Sequence, residues 1–160
     1  MAATDYFLKL DGIDGESMDD KHKNEIDVES FSWGATQSGT IGGSDKSGKV
    51  SMGDFHFNMA ASKASPKLML YCAYGRKIPK AVLTIRKAGH KQQEYLKVTL
   101  SDVIISSYQT DGHGGGNTIP IDQISLNFAK IEVVYQEQSE TGQLGGVVTG
   151  NFDLKSVSGG

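Results

Sequence analysis

The four histidines are the residues best suited to metal binding or acid–base chemistry, and none has a suitable neighbour in the sequence. His22, His56, His90 and His113 lie far apart, whereas zinc sites commonly place two histidines about three to five residues apart. Cys72 is the only cysteine, so it adds no second thiolate ligand and forms no disulfide within the chain. The pattern predicts no metal site and no cofactor.

The acidic and glycine-rich segments are the other places where this chain could bind an ion or a phosphate. The acidic side chains near the N-terminus are Asp11, Asp14, Glu16, Asp19 and Asp20. Their spacing does not match a calcium-binding loop, and we expect a solvated acidic loop. The glycine run 114–116 precedes no helical pattern, which argues against a phosphate cradle. Nucleophile-elbow and Walker motifs are also absent from the sequence. The chain is therefore predicted not to be an enzyme and to have no catalytic residues.

The charge balance argues against nucleic acid as a partner. The 160 residues include 16 basic and 19 acidic side chains, for a net charge of -3, whereas nucleic-acid-binding domains normally have a basic excess. The main cationic cluster comprises Arg76, Lys77, Lys80, Arg86, Lys87 and Lys91. We interpret these residues as ordinary solvated positions at strand ends and turns.

The N-terminus does not have the pattern of a secretory signal. The first ten residues include Asp5 and Lys9 and contain no apolar core, and no apolar run in the chain is long enough to span a bilayer. We expect a soluble protein that is made in the cytoplasm and inserts into no membrane. If it leaves the cell, it does so without a cleaved signal peptide.

Alternating apolar and polar residues along most of the chain predict β-strands. The alternation reverses phase near Glu29-Ser30, near Asp102 and at Ala129-Lys130. Each reversal indicates a β-bulge, and long bulged strands allow an antiparallel sheet to curl. Residues 1–160 are thus predicted to form one mostly-β domain, a closed antiparallel β-barrel with sandwich-like bulges.

One short helix is predicted over residues 66–74, beside the barrel. Ser65 suits the N-cap, and Gly75 occupies the position where a glycine commonly ends a helix. Leu68, Tyr71 and Cys72 form a stripe at helical spacing that should face the core.

Two segments have the composition of flexible chain. Residues 38–49, SGTIGGSDKSGK, contain four glycines and one apolar side chain, Ile41. Such a segment buries too little to fold alone, and we predict a long protruding loop. Residues 141–160 are also glycine-rich and include a short final strand.

The order of the segments resembles the Hcp family (haemolysin-coregulated proteins), which form the inner tube of the bacterial type VI secretion system. The resemblance rests on collinear segments across nearly the whole chain rather than on one motif. These segments are DYFLKLDGIDGES, IDVESFSWG, GDFHF, SPKLMLYCAYGRKIPKAVLTIRKAG, YLKVTLSDVIISSY, IDQISLNFAKIEVVY and NFDLK.

The resemblance implies a β-barrel with a flanking helix, six copies of which form a ring with a central channel. Stacked rings form a tube inside a contractile sheath, with a spike protein at its tip, and contraction expels the tube. Export without a signal peptide follows from this route. Some family members carry small effectors in the channel, and others have a C-terminal toxin domain, for which we expect no room before Gly160.

Within that family frame, two sets of residues are candidates for assembly. Tyr6, Trp33 and Tyr108 are candidates for the contact between neighbours in a ring, although each suits the barrel core equally well. The predicted contact between stacked rings comprises Gly39, Thr40, Ile41, Gly42, Gly43, Ser44, Asp45, Lys46 and Ser47.

Three other functions remain open at the level of sequence. A phage-type tail tube protein would assemble by nearly the same physical principles in a different machine. A carbohydrate-binding module would use exposed aromatic side chains such as Trp33 and Tyr108 and act as a monomer. A small hydrolase would contain coupled titratable groups in a pocket. Oligomeric state separates the tube proteins from the carbohydrate-binding module.

Overall fold

The computed structural model describes residues 4–39, 49–87, 93–116, 118–138, 144–156 and 158–160. The described residues form eleven strands and one helix, which confirms the mostly-β prediction. In chain order the elements are β1 (Thr4–Leu10), β2 (Ile26–Asp27), β3 (Ser30–Ser32), β4 (Ala35–Gln37), β5 (Val50–Met52), β6 (Phe55–Ala60), α1 (Ser65–Tyr74), β7 (Ile78–Lys87), β8 (Glu94–Asp111), β9 (Ile121–Gln138), β10 (Leu144–Asp153) and β11 (Ser158–Gly159).

The main sheet is antiparallel and is built around the long strands β8 and β9. Its order is β11-β10-β9-β8-β7-β1-β2, and β6 joins it by pairing with the first part of β9. The second part of β9 pairs instead with β10. Strand β3 pairs with β6, while β4 and β5 form a separate two-stranded ribbon.

The predicted phase reversals in β8 and β9 are confirmed, and they lie opposite each other. Ser101 pairs with Lys130 and Val103 pairs with Phe128, so Asp102 faces the reversal in β9. Asp102 has a φ of 51°, in the left-handed region, which residues other than glycine seldom adopt. Both long strands therefore turn a different face to the core on either side of this level. The predicted bulge at this level is wrong, because the pairing of β8 with β9 keeps the same register across it, and the bulge lies instead between Ile105 and Ser107.

The first predicted reversal marks the point where the chain leaves one strand and joins another. The Val28 N–H donates to the Tyr6 carbonyl at 3.0 Å, and the Glu29 N–H donates to the Asn58 carbonyl at 2.8 Å. Consecutive residues thus bond to β1 and to β6.

The prediction of a closed barrel is not confirmed. Among the described residues, β2 pairs with β1 alone and β3 with β6 alone, so no strand pairing joins β2 to β3 or β1 to β6. The sheet is a curled half-barrel, whose margins are these two short strands.

The helix lies against β8 and extends the apolar core. Leu68 is fully buried, and Tyr71 and Cys72 are half-buried against the core, as predicted. The helix ends at Gly75, whose φ of 60° is left-handed, as expected for a C-terminal glycine. No helix in the described part of the chain is long and apolar enough to cross a bilayer.

The predicted N-cap is wrong, because Ser65 is already the first residue of the helix and Ala64 occupies the cap position. The Ser65 hydroxyl accepts the Ser62 N–H at 3.0 Å and donates to Asp122 Oδ2 at 2.5 Å. Ser65 therefore joins α1 to the start of β9 instead of capping the helix.

Candidate assembly surfaces

One face of the curled sheet is polar across four neighbouring strands. Alternation sends the apolar side chains of β6 and the first half of β9 into the core and the polar side chains outward. We call this outward surface the polar strand face. It comprises Ser30, Ser32, His56, Asn58, Ser107, Gln109, Gln123, Ser125 and Asn127.

Hydrogen bonds between strands satisfy much of the polar strand face. The Ser107 hydroxyl donates to Ser125 Oγ at 2.7 Å, and Ser125 Oγ lies 2.9 Å from His56 Nδ1. Asn58 Nδ2 donates to Ser30 Oγ at 2.8 Å. Because these groups bond to one another, the face is ordered and hydrophilic without a partner.

Asp54 extends this network at the margin of the face. Its carboxylate accepts hydrogen bonds from the Ser106 hydroxyl at 2.6 Å and from Asn127 Nδ2 at 3.0 Å. The carboxylate therefore ties the start of β6 to β8 and β9 and adds negative charge beside the face.

Helix α1 is apolar on its outer side as well as on its inner side. Only Ser65 and Lys67 among its ten residues are polar. The outward stripe comprises Pro66, Met69, Leu70, Ala73 and Tyr74, all exposed. Met69 retains 46% of its accessible surface, Leu70 44% and Tyr74 79%. Exposed apolar side chains that lie side by side in this way can form a contact surface, and we call these residues the α1 outer stripe.

A second exposed apolar surface lies on β9 and β10, at the edge of the buried core. Ile85, Leu96, Tyr135 and Val148 are paired in sequence across β7, β8, β9 and β10. Ile85 is buried and Leu96 half-buried, but Tyr135 is 44% exposed and Val148 65% exposed. The inner face of β9 and β10 thus has no second layer among the described residues. We call this surface, with the half-buried Val133, the open sheet end.

The three predicted ring-contact residues all pack against the core. Tyr6, Trp33 and Tyr108 are each half-buried. Tyr6 meets Phe31 edge to face with centroids 5.2 Å apart, and the Tyr108 hydroxyl donates to Asp122 Oδ2 at 3.1 Å. Burial, and secondarily Asp122, raises the pKa of Tyr108. Their role in a ring contact stays a prediction.

The predicted stacking segment lies mostly outside the described residues. Of its nine residues only Gly39 is described, and it is exposed; Thr40 to Ser47 lie outside the described part. The stem is the β4–β5 ribbon, closed by a hydrogen bond of 3.2 Å from the Ser38 N–H to the Lys49 carbonyl. The ribbon belongs to a sheet of its own, and most of its residues are exposed.

The interpretation of Arg86 as a solvated strand-end residue is wrong. Arg86 is only 2% exposed. Its Nη1 and Nη2 donate to the two carboxylate oxygens of Asp19 at 2.9 and 2.8 Å, and Nη2 also donates to Asp5 at 3.2 Å. These bonds to Arg86 hold the pKa of Asp19 at about 2. The acidic loop is therefore not wholly solvated, since Asp19 fastens it to the sheet.

Phe7 and His22 complete this buried polar cluster. The Arg86 guanidinium lies 4.7 Å from the centroid of Phe7, and the His22 imidazole stacks on Phe7 at 4.5 Å. His22 contacts Glu25 at 2.9 Å through Nδ1 and Glu94 at 2.5 Å through Nε2. One feature of the sequence could have indicated this cluster. Phe7 is apolar but lies on the face of β1 opposite Leu8, so another segment of the chain was needed to cover it.

Comparison with protein-family models matches residues 7–135 to the family described as "Type VI secretion system effector, Hcp". The chain belongs to the Hcp family. It is 44% identical over 143 residues to Protein hcp1 of Pseudomonas aeruginosa, covering 88% of each chain. This Hcp chain is a type VI secretion tube protein, as the collinear segments predicted.

Solved Hcp structures have the same fold. Hcp1 from Salmonella typhimurium superposes with a TM-score of 0.83 at 40% identity, covering 99% of both chains. A type VI secretion system effector from Yersinia pestis gives a TM-score of 0.77 at 36% identity, covering 92% of this chain and 98% of that one. The likeness therefore includes the half-barrel, the helix and the long strands.

Proposed function

We propose that six copies of this chain form a ring, that rings stack into a tube, and that contraction of a surrounding sheath expels the tube. Membership of the Hcp family supports this arrangement. The observation that carries it is the apolar surface left uncovered in one copy, the α1 outer stripe and the open sheet end. Contiguous exposed apolar surface of this kind marks a contact with another protein.

The polar strand face lines the channel in this proposal. Its side chains already bond to each other, so the face remains stable against water without a protein partner. A hydrophilic channel suits the passage of small effectors, which bind there by exchanging water for hydrogen bonds. The sheath contacts the outside of the tube, and the spike protein occupies its tip.

The segment 38–49 makes the contact between stacked rings. The β4–β5 stem that carries it forms a separate ribbon, which shares no strand pairing with the main sheet among the described residues. Deleting residues 42–46 should therefore abolish tube formation and secretion while single rings persist. Normal tubes from the deleted chain would contradict this role.

Export proceeds through the tube itself, without a cleaved signal peptide. Mass spectrometry of the secreted chain tests this point directly. The expected result is an intact N-terminus, and removal of an N-terminal segment would contradict it.

Light scattering after size-exclusion chromatography tests the ring. The expected mass is six times the 17.2 kDa of one chain. Electron microscopy of the same peak should show rings with an open centre. A monomer at every concentration would exclude the ring as the resting state and favour a module that acts alone.

A further inference from the structure

The β4–β5 ribbon and the strands β3 and β6 are two parts of one hairpin, which is interrupted at the same level on both strands. Ser32 pairs with His56 on the main-sheet side of the interruption, and Ala35 pairs with Met52 on the ribbon side. Two residues separate these pairs on one strand and three on the other. The register therefore shifts by one residue, as it does at a β-bulge.

A glycine lies at the interruption on each strand, and the two glycines face each other. The Gly53 N–H donates to the Gly34 carbonyl at 2.9 Å. Neither glycine has a left-handed φ. A Cβ at Gly34 would meet no atom within 4 Å, and a Cβ at Gly53 would lie 3.4 Å from its nearest neighbour, the Gly34 carbonyl oxygen. The observed conformation therefore accepts other residues at both positions.

Other glycines of the chain are required by the conformation around them. Gly75 has a left-handed φ of 60° at the end of α1, and a Cβ at Gly15 would lie 2.5 Å from the Glu25 carbonyl oxygen. Neither reason applies to Gly34 or Gly53. What glycine adds at these two positions is the freedom to leave the observed conformation. Hinges commonly consist of a few residues at the ends of elements that absorb a change in φ and ψ.

The residues beside the two glycines are fastened on the main-sheet side. Trp33 is half-buried against the core, and the Asp54 carboxylate accepts hydrogen bonds from β8 and β9. On the ribbon side, Met52 is the one residue among the described positions 35–37 and 50–52 whose side chain packs against the core. The boundary between a fixed part and a part that can move therefore falls at the glycines.

A cleft of about 390 Å³ lies beside the interruption. Its walls include Ser32 and His56 on the main-sheet side and Thr36 and Ser51 on the ribbon. Thr36 and Ser51 are paired with each other, so they would approach the main sheet together if the ribbon turned. The cleft thus provides the space that such a movement needs, and it opens on the polar strand face.

We infer that the β4–β5 ribbon turns as a unit about Gly34 and Gly53, closing on this cleft, and that it adopts more than one angle until rings stack. The movement leaves the strand pairs on either side intact, because they belong to different sheets. Its role in stacking rests on the proposed function, since the ribbon carries the segment 38–49. Contact with the adjacent ring then selects one angle from those that the ribbon already adopts.

Distances between two nitroxide labels test the movement directly. In a Cys72→Ser background, Thr36→Cys on the ribbon is labelled together with Lys97→Cys on β8, both at exposed positions. Labelled chains are mixed with an excess of unlabelled chains before rings assemble, so that most labelled rings hold one labelled copy. The distance distribution should be at least about twice as wide as that from labels at Lys9 and Lys97, which both lie on the main sheet. Equal widths would overturn the inference.

Stiffer residues at the hinge should remove the excess width. Gly34→Val with Gly53→Ala restricts φ and ψ at both positions and fits the observed conformation. The distribution should narrow to the width of the main-sheet control, and the thermal midpoint should not fall. Gly114→Ala with Gly116→Ala is the matched control, because a Cβ at either position also meets no atom within 4 Å. It should leave the distribution wide.

A folded hinge variant with the wild-type width would contradict the assignment of the two glycines. If Gly34→Val with Gly53→Ala does not fold, the milder Gly34→Ala is measured in its place and should narrow the distribution in part.

Electron microscopy of the same variants tests the role in stacking. Rings of the hinge variant should form as in the wild type but should need about threefold or more higher concentration to stack, because the ribbon no longer turns to meet the adjacent ring. Unchanged stacking would overturn this role and leave the proposed tube standing. A wild-type chain that forms no tubes would contradict the proposed function. The label distances need no stacking, so they would still decide whether the ribbon turns.

Discussion

The polar strand face and the α1 outer stripe belong to the same chain, but only the first is satisfied by contacts within one copy. On the polar strand face, side chains such as Ser107 and Ser125 bond across strands, so one copy satisfies them. On the α1 outer stripe, Leu70 and Tyr74 meet no covering residue in the described chain and stay exposed. The difference indicates which surface is built for water and which for a second copy.

The largest expected effect is on the stability of the fold and not on either surface. Arg86→Ala leaves Asp19 and Asp5 without their buried partner, and breaking such a pair costs about 3–5 kcal/mol in the free energy of unfolding. Urea denaturation measures this loss. Lys87→Ala, an exposed neighbour, should change stability by less than about 0.5 kcal/mol. Equal effects from the two variants would contradict the role of the cluster.

The next effect should separate assembly from folding. Tyr74→Ala removes the most exposed aromatic side chain of the α1 outer stripe, and truncation of a tyrosine that is an interface hot spot costs about 2 kcal/mol of binding. Analytical ultracentrifugation should show weaker rings, with the thermal midpoint of the monomer unchanged. Gln123→Ala on the polar strand face is the matched control and should leave ring stability intact. If both variants weaken the rings equally, the two surfaces do not differ in their role in assembly.

A smaller effect is expected within the polar network. Asp54→Ala deletes the acceptor for Ser106 and Asn127 and should lower the free energy of unfolding by about 1 kcal/mol. Asp54→Asn should recover part of this loss by keeping one acceptor oxygen. Rings should persist in both variants. If Asp54→Ala is folded but monomeric, the polar strand face is itself a contact between copies.

The last prediction concerns the pH dependence of stability that one carboxyl group contributes in acid. Arg86 holds the pKa of Asp19 at about 2, below the usual 3.8. Because this pKa is depressed in the folded state, its contribution to stability is present above pH 3.8 and is lost as pH falls towards 2. Asp19→Asn should therefore flatten the dependence of stability on pH between 4 and 2, measured by urea denaturation at each pH. An unchanged slope would contradict the assignment.

Local patterns in the sequence identified much of this fold. The alternation of apolar and polar residues located the phase reversals at Asp102 and at Ala129-Lys130. This was possible because the apolar residues along a strand show which of its faces is buried. Gly75 marked the end of α1 for a similarly local reason, since its left-handed φ suits glycine. The Hcp resemblance added the family, which no single residue specifies.

Local patterns did not predict the contacts between segments that are distant in the sequence. Arg86 was taken for a solvated residue because its partner Asp19 lies 67 positions away in the sequence. The sequence indicated a bulge near Glu29-Ser30 but not the change of partner strand there, because the positions of Tyr6 and Asn58 decide it. The sequence by itself determined which side chains seek the core and where the chain turns. Only the tertiary structure decided which apolar side chains, Tyr74 and Val148 among them, are left without cover, because burial depends on how the layers meet.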